Sequence, residues 1–171
     1  MKFRLNKNTS PELIDLIYGG MGEADKEHLH ELVLNRYGIS SFAQMKIGDF
    51  LNCCNGDFSG FFKSDKANSF DYVFVLAFKT FIEKFTVQME SLQVPKHLLS
   101  DDEESINKKL LQLSFSENIL IFMQKFFLLK SFEEVAEMRI FELILAKKNQ
   151  YNEDLKSALF AHKSKTNNNR K

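Results

Sequence analysis

The sequence predicts an all-α fold: a single-domain bundle of about seven helices with a long central helix and a long C-terminal helix. Three observations carry that expectation. Apolar residues recur at three- and four-residue spacing along nearly the whole chain, and strict alternation is hard to find. Seven glycines and two prolines in 171 residues supply too few turns for a sandwich or barrel. Helix-start signatures open one segment after another. A hydrophobic share of 44% beside 27% charged residues fits a folded core and excludes wholesale disorder.

Ser10-Pro11-Glu12 opens the first helix, with a capping hydroxyl and a proline where its missing N–H costs nothing. That helix carries Leu13, Ile14, Leu16 and Ile17 and stops at Gly19-Gly20. A second helix over about Glu23–Tyr37 places Leu29, Leu32 and Val33 on one side, and Gly38 closes it in a left-handed conformation. Ser41 and Gln44 resemble a capping box for a short third segment. Ile47, Phe50, Leu51 and Cys54 then follow i, i+3, i+4, i+7 spacing up to Asn55-Gly56. Residues 55–69 form the one clear loop, polar except for Phe58, Phe61 and Phe62.

The strongest helix follows, over about Ser69–Gln93. Phe70, Val73, Phe74, Ala77, Phe81, Phe85 and Leu92 share one face, while Lys79, Glu83 and Glu90 lie opposite. Tyr72, Val75 and Leu76 add apolar surface elsewhere, so the helix is expected to run through the middle of the fold. Val94-Pro95 ends it. Ser100–Glu104 begins a helix that buries Ile106, Leu110 and Leu113, its acids sitting at the positive end. Ser114 with Glu117 caps a helix through Ile119, Phe122, Met123 and Phe126. Ser131 with Glu134 caps a short one bearing Val135 and Met138, and a long helix then runs to about His162. The expected domain is 1–163, with a possible N-terminal subdomain 1–54 and a disordered basic tail at 164–171.

Little in this pattern is arranged for chemistry. His28 and His30 point about 200° apart on a helix, so they cannot hold one ion together, and both read as solvated surface residues. Cys53 and Cys54 are adjacent, form no disulfide framework and suit a reducing compartment. Their nearest charges are Asp49 and Asp57, which disfavour a reactive thiolate, and Cys54 reads as the buried member of the pair. Phosphate-loop, nucleophile-elbow and dinucleotide motifs are missing, since Gly19-Gly20-Met21-Gly22 has no following Lys-Ser/Thr. No catalytic, cofactor-binding or metal site is expected, and no enzyme. The greasiest runs, Tyr72–Phe78 and Ile119–Leu129, fall short of the ~20 apolar residues of a membrane span. No apolar run follows the basic start MKFRLNKNTS, so no secretory signal is read there. A soluble, cytoplasmic protein is expected.

Macromolecular partners remain. Glu31–Leu51 has a helix-turn-helix outline, but its second element offers only Ser40, Ser41, Gln44 and Lys46 to base edges. Twenty-three basic residues balance twenty-three acidic ones, which leaves no reserve for phosphate contacts. Basic residues do gather at both ends, at Lys2, Arg4 and Lys7 and at Lys163, Lys165, Arg170 and Lys171. A small nucleic-acid-binding regulator is therefore the alternative reading. Protein binding has two candidate sites. Phe58, Phe61 and Phe62 either fold back on the core or meet another chain. On the last helix the narrow stripe Tyr151, Leu155 and Leu159, with Phe160 to one side, matches the anchors of a helix that docks in a groove.

Two stretches resemble the tail assembly chaperones of tailed phages. Met45-Lys46-Ile47-Gly48-Asp49-Phe50-Leu51 is similar to a helix opening of the form IG-x-F in such chains. Ser131-Phe132-Glu133-Glu134-Val135-Ala136-Glu137-Met138, followed by Glu142, is similar to their late segment, where a capped short turn leads into a helix bearing one acidic residue. The resemblance implies a non-catalytic, mostly helical protein that binds the tape measure protein while a virion tail forms in a bacterial host. It also implies that the Asn/Lys-rich end would suit an A-rich frameshift site.

Overall fold

Ser10 accepts a hydrogen bond from the Leu13 amide at 3.4 Å and opens α1 (Pro11–Gly20). The computed structural model describes residues 7–62, 68–99 and 131–168. Gly22 precedes α2 (Glu23–Arg36), whose end is closed by Gly38 at φ +73°. There the Ile39 amide reaches back to the Leu34 carbonyl at 3.0 Å and the Gly38 amide to Asn35 at 3.1 Å. That pair of bonds satisfies two carbonyls the helix would otherwise leave bare. A 3-10 turn at Phe42–Gln44 leads into α3 (Ile47–Cys54), and Gly56 at φ +84° closes α3 in the same way. Its Asp57 amide bonds the Asn52 carbonyl at 2.9 Å.

The 23-residue α4 spans Ser69–Ser91. Asn68 caps it, its side-chain oxygen accepting from the Phe70 amide at 2.9 Å, while Asp71 returns a bond to the Asn68 amide at 2.7 Å. Pro95 leads into a 3-10 turn at Lys96–Leu98. After the undescribed stretch come α5 (Phe132–Glu137) and α6 (Ile140–Asn168). Ser131 and Glu134 make both bonds of the expected capping box, at 3.2 and 2.7 Å. The fold is all-α: six α-helices and two 3-10 turns, with no strand, among the described residues.

The chain divides into two compact units, Met1–Phe85 and Thr86–Lys171. In the first unit the core is aromatic. Phe74 lies edge-on to Tyr37 at 4.9 Å and to Phe42 at 5.4 Å, and Phe50 meets Phe78 at 5.7 Å and Phe85 at 5.5 Å. Phe50, Phe74 and Phe85 are fully buried, and edge-to-face pairs of this kind add about 0.5–1.5 kcal/mol each beyond their area. In the second unit Val135, Ile140 and Leu143 are buried, and α6 runs beside the 96–98 turn.

Several local expectations change. Ser41 makes no side-chain cap, because only a three-residue turn follows it. On α1 only Ile14 is buried, and Leu13 and Leu16 face outward. On α2 the buried pair is Val33 and Leu34, while Leu32 is 57% exposed. Cys53, rather than Cys54, is the buried cysteine. Phe78 is buried on α4, whereas Phe70 is half-buried beneath the Arg36 guanidinium, 4.1 Å from the ring centre. The last helix continues to Asn168, past the expected end near His162. The helices expected from Ser100 to Phe126 lie outside the described residues.

Candidate functional site

The two groups of predicted partner-binding residues fall in different units. In the first unit, Phe58 and Phe62 stack at 5.5 Å, Phe61 and Phe62 lie 5.3 and 5.7 Å from Phe74, and Phe58 lies 5.7 Å from Phe78. All three are half-buried and fold back onto α4. The turn that holds them is tied locally: Asp57 accepts from the Ser59 amide at 2.9 Å, and the Phe58 carbonyl accepts from Phe61 and Phe62.

In the second unit, α6 carries the other group. Four-residue spacing sets Tyr151, Leu155 and Leu159 along one side, and Phe160 turns about 100° from Leu159. Tyr151 and Leu155 are half-buried, whereas Leu159 is 46% and Phe160 72% exposed. Phe141 and Leu145, near the start of α6, are also exposed.

A third feature has no local signal in the sequence. A cleft of about 440 Å³ opens among α1, α2 and α4 in the first unit. On its wall Tyr18 Oη lies 2.6 Å from His30 Nε2 and 3.1 Å from Thr80 Oγ1, and the Thr80 hydroxyl donates to the Leu76 carbonyl at 3.1 Å. The Thr80 proton being committed, Tyr18 donates to Thr80 and accepts from His30, which places the imidazole proton on Nε2. His30 is thus half-buried and bonded, correcting its reading as a solvated residue; His28 is exposed as expected. The Tyr18–His30–Thr80 contacts span 12 and 62 positions, so no local pattern could reveal them. Burial first, and Lys84 second, hold the His30 imidazole below the ordinary histidine value.

Charge around this cleft is mixed: Lys26, Lys79 and Lys84 line it together with Glu23, Glu27 and Glu83. Lys26 pairs with Glu23 at 3.2 Å and also sits 5.3 Å above the Tyr18 ring, while Lys84 reaches Glu27 at 3.7 Å across to α2. Elsewhere, burial pushes the Cys53 thiol up to about 12 and the Cys54 thiol up to about 11. Neither thiol is poised as a nucleophile. No group of three or more His, Cys, Asp or Glu side chains could hold a metal among the described residues. In the helix-turn-helix outline, α3 buries Ile47, Phe50, Leu51 and Cys53 and turns Asn52 outward, with Asp49 half-exposed.

Comparison of the chain with protein-family models, curated proteins and solved structures finds no match in any of the three. No helix among the described residues is long and apolar enough to cross a membrane.

Proposed function

We propose that this chain is a non-catalytic helical assembly protein that binds an amphipathic helical client through the apolar side chains of α6. The observation that carries the reading is the exposure of Leu159 and Phe160, 46% and 72%, on a 29-residue helix. A client helix laid against them would bury both, and each large apolar side chain removed from water contributes roughly 1.5–3 kcal/mol when burial is complete. The resemblance of the 45–51 and 131–142 stretches to tail assembly chaperones makes a tape measure protein the first client to test.

The experiment is a pulldown with Leu155→Asp plus Leu159→Asp. Two buried carboxylates oppose docking far more than the lost contacts alone. Capture of the client should vanish while helical content by circular dichroism is kept. Survival of binding in a folded double variant would remove α6 as the site.

A further inference from the structure

We propose that His30 is an acid-responsive joint between α2 and α4: when its imidazole takes up a proton at Nδ1, the new cation competes with Lys84 for Glu27 and loosens the pair that ties the two helices across the cleft. This inference goes beyond the client-binding reading and stands on the first unit alone.

The geometry supplies each part. The Tyr18–Thr80–Leu76 chain of hydrogen bonds already commits the Nε2 proton, so a second proton from solvent has only Nδ1 to occupy. Glu27 lies three residues before His30, a neighbour by helical spacing on the same surface of α2, and its largely exposed carboxylate pairs with Lys84 of α4 at 3.7 Å. An imidazolium therefore draws Glu27 back onto α2 and repels Lys84. The other charged groups at the cleft are Glu23 and Lys26 on α2 and Lys79 and Glu83 on α4, with the Tyr18 phenol on α1. Of the carboxylates that act on His30, Glu27 weighs more than Glu23, and it is the one that Lys84 also holds.

The direction of the response follows. The folded protein resists protonation of His30. Its contribution to stability is complete above the ordinary histidine value of about 6.5. It falls as the pH drops from there to the lower folded value, because the unfolded chain takes the proton first.

Nitrogen-15 and proton NMR of the full chain tests this directly. His30 should titrate below a histidine of the urea-unfolded chain, with Nε2–H as its neutral tautomer. Lys84→Met should raise its midpoint and Glu27→Gln should lower it further. Thr80→Val, which frees the Tyr18 proton for His30, should flip the neutral tautomer to Nδ1–H. Thermal unfolding between pH 7.5 and 5.5 should fall more steeply for the native chain than for His30→Gln, which keeps an amide donor for Tyr18 and never ionises. A His30 midpoint at or above the unfolded value, a midpoint blind to Lys84→Met, or parallel pH profiles for the native chain and His30→Gln would each overturn the proposal. The wild-type titration needs no variant to fold.

Discussion

Asp71 is 4% exposed, and a carboxylate so deep needs every partner it has. It accepts from the Tyr37 hydroxyl and from the Asn68 amide, linking the end of α2 to the start of α4. Tyr37→Phe removes one bond and leaves the carboxylate short of a donor, which should destabilise the fold by about 1–3 kcal/mol in urea titrations. The same pair carries an alkaline signature. Burial, then the bond to Asp71, pushes the Tyr37 phenol above its ordinary value. Its stabilising effect is therefore present below the unfolded tyrosine value of about 10 and is lost as the pH rises through the folded one. Tyr37→Phe should abolish that part of the alkaline loss; an unchanged profile would mean the phenol is not held there. The sequence does not announce this pair, because residues 34 positions apart leave no local signal.

Gly38 and Gly56 allow the opposite kind of test at the level of the element. Each closes a helix at positive φ, and the space around each is open, so an added methyl costs only backbone strain. Gly38→Ala and Gly56→Ala should each destabilise by about 1–2 kcal/mol. Gly19, inside α1 with equally open surroundings and no positive φ, should respond with the other sign. Gly19→Ala is expected to stabilise by about 0.5–1 kcal/mol. Ser131→Ala should cost about 1 kcal/mol, since it removes the exposed cap of α5. Thermal or urea melts of the four variants check both size and sign. Helix ends of this kind were readable because capping is local chemistry: Ser10, Gly38 and Ser131 act where the sequence placed them. Which edge of a helix stripe is covered was not readable. Leu32 and Leu34 sit on either side of Val33, and only neighbours distant in the chain decide that Leu34 is buried. Cys53 and Cys54 exchange roles for the same reason, and Ser41 fails as a cap because its segment is one turn long.

Across the whole molecule, the division inside α4 had no counterpart in composition, because one unbroken helix crosses it. What the sequence does carry is the distribution of rings. Eleven of the eighteen phenylalanines lie at or before position 85, and the described ring contacts of Phe42, Phe50, Phe58, Phe61, Phe62, Phe74, Phe78, Phe81 and Phe85 are made within that unit. A core whose largest members meet one another holds much of its own apolar surface out of water. The fragment Met1–Ser91, which keeps α4 whole, should therefore fold by itself. Near-ultraviolet circular dichroism should show ordered aromatic signals, and thermal unfolding should be cooperative. A fragment that keeps its helical far-ultraviolet signal but loses the near-ultraviolet one and binds a hydrophobic dye would be a loosely packed globule. That outcome would mean the aromatic cluster is ordered from outside, by residues after 91, and that the first unit is a unit of shape without being one of folding.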